Sequence, residues 1–403
     1  MNASRVDPEP GHGPDSMDGW TLLGRRLREA GVMDADWTGA FDAVPRHPFL
    51  PDVMWPHDMA TGRTVTVSRA ERPELWRSYA DSDVPIVTQW DDGSHTGPGP
   101  GILATSSASM PSVVLRMLRD LDARPGHRVL DIGTGTGWNA ALLAHRVGAD
   151  QVVTVEVDGV LAERARPALG RAGFPVGVVH GDGLLGHPPA APYDRVIVTC
   201  GLRALPYAWV RQTRPGGVVV VPWGTEYGQQ DAVARLVVAP DGRSASGRLT
   251  GPVEFMKLRS QRGPDPDHSS YVVGSVRDRA DSTSVTELTE SRYLGETPFA
   301  VQRFVLGLRL RGCRHVVAER RDGARPVWLY GLTDRSWACA LFRDGHADAP
   351  VWQGGPRRLW DEAEAAYAWW RDLGSPGYER FGLTVTPDGT RAWLDEPERS
   401  WDV

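Results

Sequence analysis

The segment Val129-Leu130-Asp131-Ile132-Gly133-Thr134-Gly135-Thr136-Gly137-Trp138 decides the fold class. A short apolar strand runs into three alternating glycines and then into a helix. Glycines let a backbone approach a ligand closely, and ligands of open α/β sheets bind beyond the carboxyl ends of the strands. The dinucleotide fingerprint GxGxxG is the nearest rival. Here the third glycine comes one residue early, and Trp138 stands where the last glycine of that fingerprint belongs. A bulky residue there would hinder a pyrophosphate docking on the helix N-terminus. Asp131, just before the first glycine, instead suits a ligand carrying an ammonium group. S-adenosylmethionine has such a tail and no phosphate.

Outward from this turn the pattern is regular. Strands are expected at Arg128–Ile132, Gln151–Val157, Val176–His180, Arg195–Thr199 and Gly217–Val221. Helices are expected at Trp138–Val147, Gly159–Ala172 and Leu205–Gln212. Continuous apolar strands alternating with amphipathic helices predict a parallel sheet covered on both faces. Glu156 lies near the end of the second strand, where an acid can hold ribose hydroxyls. His180-Gly181-Asp182-Gly183 follows the third, where an acid and free N–H groups can read an adenine edge. Taken alone, Glu156 could be a solvated strand-end carboxylate, and Asp182-Gly183 an ordinary turn. Three signals at three successive strand ends reinforce one another. The cofactor set expected from them is Asp131, Ile132, Gly133, Thr134, Gly135, Thr136, Gly137, Glu156, Val157, Asp182 and Gly183.

The rest of the chain is less regular. Residues 1–18, with three prolines and four acidic residues, read as a disordered tail. Helical spacing follows in Trp20, Leu23, Leu27 and Ala30, then in Trp37, Phe41 and Val44, ending at Pro45. Residues 46–104 read as irregular, with a glycine- and proline-rich loop from Asp91 to Gly101. A helix begins near Ser109, with Pro111 in its first turn. The polar stretch 262–298 reads as a linker or long loop. Residues 299–403 read as a smaller α+β domain, with a helix over Pro356–Leu373 and a hairpin around Pro387-Asp388-Gly389. Eight of the sixteen tryptophans lie beyond residue 320, which suits a small core or a peptide-binding surface.

Composition narrows the function classes. The net charge of −6, without a long basic run, argues against a nucleic-acid partner. Cys200, Cys313 and Cys339 lie far apart, with no metal-ligand spacing, so no metal is expected and a reducing cytoplasm is. No apolar run approaches the roughly 18 residues of a membrane span. A monomer is expected.

Several ordered segments resemble the protein L-isoaspartate (D-aspartate) O-methyltransferase family, over roughly residues 20–260. Val44-Pro45-Arg46-His47-Pro48-Phe49-Leu50-Pro51 resembles its V-P-R-x-x-F-x-P segment, and Tyr79-Ala80-Asp81 with Val84-Pro85-Ile86 its Y-x-D-x-x-L-P-I stretch. Ser109-Met110-Pro111 is similar to its T-I-S-Q-P segment. His180-Gly181-Asp182-Gly183 with Pro192-Tyr193-Asp194 resembles its H-G-D-G…P-[YF]-D run. Pro215-Gly216-Gly217 with Val221-Pro222-Trp223-Gly224 resembles its G-G-x-L-x-x-P-V-G end strand, and Glu254-Phe255-Met256-Lys257-Leu258 its closing V-x-F-V-P-L. The resemblance implies an α/β fold of the class I S-adenosylmethionine-dependent methyltransferases, doubly wound and mostly parallel, on residues 19–261. It implies S-adenosyl-L-methionine as cofactor, a peptide or protein carrying Asp or isoAsp as partner, and methyl transfer to a carboxylate.

It also implies Ser109 as the hydroxyl that orients the acceptor carboxylate; a plain helix N-cap is the other reading. Ser107 joins the cofactor set, and could take the place of Ser109 if the loop alignment slips by two. Val87, Thr88, Cys200 and Trp223 are candidates on the acceptor side. One departure bears on the substrate: the family's Gly-x-Gly-Gln is replaced by Val87-Thr88-Gln89 and a long loop with Asp91, Asp92 and His95. The tail beyond residue 262 has no expected counterpart in ordinary repair members. The extended architecture resembles actinobacterial methyltransferases associated with modified ribosomal peptides, the lanthipeptides and graspetides. Those methylate an aspartate whose ester cyclises to an aspartimide.

Overall fold

The computed structural model describes residues 19–59, 61–263 and 265–403; the expected disordered tail at 1–18 lies outside the described residues. The chain divides into two compact units, one up to Arg119 and one from Asp120 to Val403.

In the first unit, α1 (Gly19–Glu29) buries Trp20, Leu23 and Leu27. The Trp20 ring stacks on Phe41 of α2 (Ala35–Ala43), with centroids 4.1 Å apart. Asp34 caps α2 by accepting the Trp37 N–H. The stretch 46–104 is ordered rather than irregular. It holds β1 (Val53–Asp58), β2 (Arg63–Thr64), β3 (Val67–Ser68), α3 (Pro73–Ala80), β4 (Ile86–Trp90) and β5 (Ala104–Ala108). β4 pairs antiparallel with both β1 and β5, and bulges interrupt the second ladder. α4 (Pro111–Leu121) follows.

Arg46 organises this unit. Its guanidinium is fully buried and donates to the carbonyls of Ala80, Val84, Ser109, Tyr79 and Ser82, at 2.8 to 3.2 Å. Burial lowers its pKa to about 9, against the opposing pull of Asp83 and Asp81. A guanidinium can serve five carbonyls because it carries five N–H groups in a fixed plane.

The second unit contains, among the described residues, a ten-stranded and a five-stranded sheet. The glycine turn joins β6 (Val129–Ile132) to α5 (Trp138–Val147). There follow β7 (Val152–Glu156), α6 (Gly159–Arg171), β8 (Gly177–His180), β9 (Tyr193–Val198), α7 (Tyr207–Gln212) and β10 (Thr213–Trp223). These strands stand in the order β8-β7-β6-β9-β10 and are parallel throughout. The order reverses between β6 and β9, which puts a ligand crevice at the carboxyl end of β6. β11 (Asp231–Val238) then pairs antiparallel with β10, and β12 (Ala245–Val253) antiparallel with β11.

The sheet does not stop near Gln261. Beyond it come α8 (Val276–Arg279), β13 (Ser282–Thr286), α9 (Glu290–Leu294), α10 (Val301–Arg309), β14 (Cys313–Val317), β15 (Ala324–Gly331), β16 (Trp337–Arg343), β17 (Ala349–Gly354) and α11 (Leu359–Asp372). β18 (Phe381–Thr386), β19 (Gly389–Leu394) and β20 (Glu396–Asp402) close the chain. β18 pairs with β12, Ala245 opposite Val385, so the predicted hairpin extends the main sheet instead of belonging to a separate domain. Phe304, Trp370, Phe381 and Leu383 share one core with Val219, Val221 and Leu236. The expected linker is also structured, since β13 pairs antiparallel with β17. α11 starts at Leu359, three residues past Pro356, and Gly374 follows it with φ +81.

The second sheet runs β13-β17-β16-β15-β14. One face packs on Leu306, Trp360 and Ala363, and the other gathers Tyr330, Trp337 and Trp352 under Val272. Trp337, Trp352, Trp360, Trp370 and Trp393 are all buried. For these five, the core reading of the C-terminal tryptophans holds.

Candidate cofactor and acceptor sites

The turn after β6 keeps its shape through backbone conformations that favour glycine. Gly133, Gly135 and Gly137 have φ of +95, +52 and +95. A Cβ at Gly133 would lie 2.8 Å from Thr199 Oγ1, and one at Gly137 would press on Leu169. Gly133, Gly135 and Thr136 are half-exposed, while Ile132 and Thr134 are buried. The turn therefore presents open backbone and no bulky side chain, which fits close approach by a small ligand.

Asp131 lies beneath the turn with no exposed surface. Asn139 Nδ2 and Thr154 Oγ1 donate to its two oxygens at 2.9 and 2.8 Å. Burial raises its pKa to about 7, despite these bonds, and Glu156 adds to the rise. Both of its oxygens are thus engaged within the protein, and neither reaches the surface of the turn. Glu156 is buried at the end of β7. It accepts the Gly135 N–H at 2.8 Å and the Asp158 N–H at 3.0 Å, which ties the acid to the glycine turn. A carboxylate offers about four acceptor directions, so two remain for hydroxyl groups.

Val157 is exposed and opens a shallow groove lined also by Gly159, Val160, His180 and Arg259. Arg259 pairs with Asp158 at 2.6 Å, and Asp158 caps α6 through Val160 and Leu161. Neither Asp158 nor Arg259 was expected at this groove. Asp158 had a readable cap signal; Arg259 comes from 101 residues away and had none. Asp182 is exposed and accepts the Leu184 N–H at 2.9 Å. Gly183 is pressed against Ile132, whose Cγ2 would lie 2.6 Å from an added Cβ.

Among the acceptor-side candidates, Cys200 is half-buried, and burial pushes its thiol up to about 12 with help from Glu156 and Asp131. It is a neutral thiol. Trp223 is buried and donates to the Arg203 carbonyl at 2.8 Å, so it supports the strand end from within the core. Gly201, next to Cys200, lies over a buried ion pair between Lys257 and Asp231. Lys257 stands where the resembling segment has proline.

Ser109, Ser107, Val87 and Thr88 belong to the first unit. Ser107 is half-buried in β5 opposite buried Val87, and Thr88 Oγ1 bonds Ser106 Oγ at 3.2 Å. Ser109 is half-exposed, and its carbonyl is held by Arg46. Its hydroxyl does not cap α4: the Asp83 carboxylate takes the Ser112 N–H at 2.8 Å. The departing loop is well braced. Asp91 accepts the N–H groups of Ile102 and Leu103 at 3.1 and 2.7 Å, which hold its pKa below the usual carboxylate value. Trp55 Nε1 donates to Pro98 O at 3.2 Å.

Comparison with known proteins bears on this geometry. The family model described as protein-L-isoaspartate(D-aspartate) O-methyltransferase matches residues 73–262. A protein-L-isoaspartate O-methyltransferase of Methanopyrus kandleri is 36% identical over 245 residues, covering 60% of this chain and 91% of the relative. One from Ignicoccus hospitalis is 40% identical over 188 residues, covering 46% and 81%. A solved protein-L-isoaspartate O-methyltransferase shares the fold with a TM-score of 0.52 at 22% identity, covering 93% of this chain and 99% of its own. That coverage runs well past residue 262, so the C-terminal segment does have a counterpart of like fold.

Proposed function

Because the chain belongs to the protein-L-isoaspartate O-methyltransferase family, we propose that it methylates a carboxylate at an aspartyl or isoaspartyl residue of a peptide. S-adenosyl-L-methionine supplies the methyl group, whose bond to sulfur breaks as a bond to the carboxylate oxygen forms, leaving S-adenosyl-L-homocysteine. The observation that carries this reading is the tie between Gly135 and Glu156, which joins an open glycine turn to a ribose-holding acid. Asp131 supplies negative potential for an ammonium group, and Asp182 stands ready for an adenine edge. No general base is needed, because a carboxylate with a reference pKa of about 4 is already ionised at neutral pH. The protein's task is orientation. Ser109, whose hydroxyl is not spent on capping, is assigned the acceptor carboxylate. A strong cationic clamp there would stabilise the anionic ground state more than the transition state, whose charge is partly neutralised. A neutral hydroxyl suits the task better.

The finer reading is tailoring of a dedicated ribosomally made peptide, through methyl ester to aspartimide. The braced loop from Asp91 to Leu103 supports it, as does Lys257 in place of proline, since both alter the surroundings in which an acceptor is chosen. General repair of isoaspartyl proteins is the competing reading. No helix among the described residues is long and apolar enough to cross a membrane, and we take the cytoplasm as the site of action. Mass spectrometry of an isoaspartyl peptide treated with enzyme and cofactor tests the reaction by a gain of one methylene. Loss of one water from a candidate precursor peptide, with no action on generic isoaspartyl proteins, favours tailoring.

A further inference from the structure

Arg314 in β14 is buried, with 4% of its surface exposed. Its Nε and Nη1 atoms are out of reach of solvent and donate to nothing, and no ion pair holds it among the described residues. A guanidinium keeps its charge at neutral pH, so such an arrangement costs free energy until an acceptor arrives. Arg203 is in a similar state: its Nε is buried without a partner, while Nη1 is fixed on the Thr225 carbonyl. Both side chains adjoin the turn at Thr225–Tyr227: Arg203 Nη1 donates to Thr225 O, and His315, next to Arg314, donates its N–H to Tyr227 O at 2.8 Å. Gln261 Oε1 accepts the Arg203 N–H at 2.7 Å, and nearby Gly263 lies beside Arg314 Nη2. The pKa of Arg203 is lowered by burial first and by Arg314 second; Asp231, Glu226 and Asp265 oppose this.

Arg203 follows directly on Leu202, which bridges to Trp223 past the carboxyl end of β9. It therefore sits on the edge of the parallel sheet where ligands of such folds bind. We propose that Arg203 and Arg314 form an anion-recognition site for the carboxylate of an acidic side chain on the peptide substrate, apart from the residue being methylated. Arg203 and Arg314 can each offer one remaining N–H edge to a carboxylate, one to each of its oxygens, and partial burial makes each charge-assisted bond stronger than at a surface. The site unites the end of β9 with the C-terminal sheet, which gives that sheet a part in substrate choice. The identification of the ligand as a peptide rests on the proposed function; the anion chemistry does not.

The test uses the full chain with S-adenosylhomocysteine present. Calorimetry compares a blocked tetraglutamate peptide, its tetraglutamine counterpart and inorganic phosphate. The glutamate peptide should bind about tenfold or more tightly than the glutamine peptide, and Arg314→Gln or Arg203→Gln should abolish the difference. Arg314→Lys should keep part of it. In methylation assays, the ratio of KM values for isoaspartyl peptides with neutral and acidic flanks should fall to one in Arg203→Gln. S-adenosylhomocysteine affinity monitors folding, and if Arg314→Gln fails there, Arg203→Gln and Arg314→Lys decide. Equal binding of the two peptides by the unaltered protein overturns the proposal. So does binding of phosphate with no preference between peptides. A preference that survives all Arg substitutions also overturns it. If no peptide is methylated yet the glutamate preference depends on both arginines, the proposed reaction fails and the site stands.

Discussion

The backbone N–H of Gly135 donates to a carboxylate oxygen of Glu156 at 2.8 Å, across 21 residues of sequence. One acid thereby fixes the glycine turn while keeping acceptor capacity for hydroxyl groups. Glu156→Ala should weaken S-adenosylhomocysteine binding by about tenfold to a hundredfold, since hydrogen bonds to a charged group contribute about 1.5–3 kcal/mol. Calorimetry measures it directly. Unaltered affinity would remove Glu156 from the site.

Ser109→Ala should lower turnover and leave S-adenosylhomocysteine affinity intact. It should cost little stability, because Asp83 and not Ser109 caps α4. Asp83→Ala should instead lower stability by about 1 kcal/mol in a denaturant titration. The reverse pattern would return Ser109 to a structural role.

A chain ending at Gln261 should be insoluble or unfolded. It would lose the strand paired to β12 and expose Val219, Val221 and Leu236, which pack with Phe304, Phe381 and Leu383. A catalytic domain closing at residue 261, as the sequence pattern suggests, would instead leave this fragment folded with its cofactor site. A soluble, cofactor-binding fragment would contradict the shared core.

Asp131, with a pKa of about 7, binds more protons folded than unfolded between about pH 4 and pH 7. Its ionisation therefore withdraws stability as pH rises through that window. Asp231, raised to about 6, acts in the same sense, while His315, lowered to about 3, acts in the opposite one. Comparison with Asp131→Asn isolates the first contribution. The variant should gain stability relative to the unaltered protein between pH 4 and pH 8, by up to roughly 4 kcal/mol at 1.36 kcal/mol per unit. A difference that does not change with pH would show that Asp131 is not titrating there.

The parallel half of the main sheet was legible because its strands are continuous apolar runs. Val152–Glu156 and the helix Trp138–Val147 came out within a residue or two. The glycine turn was equally plain, since alternating glycines between strand and helix have few other uses. The first unit was not legible. Its strands are short, bulged and partly polar, with Pro56 and Gln89 inside them, and they declare themselves only through pairing. The boundary after Gln261 misled because the polarity of residues 262–298 resembles a linker, while the partner of β12 lies more than a hundred residues on. Arg46 could be quoted as part of a motif, but its five carbonyl partners are backbone groups that no sequence pattern displays. Arg203 and Arg314 read as ordinary surface arginines until burial is known.

The most direct measurement is methyl transfer itself. With S-adenosylmethionine and a synthetic isoaspartyl peptide, the full chain should produce S-adenosylhomocysteine and a peptide heavier by one methylene, base-labile as a methyl ester is. The same peptide with aspartate amidated to asparagine should stay unchanged. If no isoaspartyl or aspartyl peptide gains that mass while S-adenosylhomocysteine binds normally, carboxylate methylation is not what this site performs.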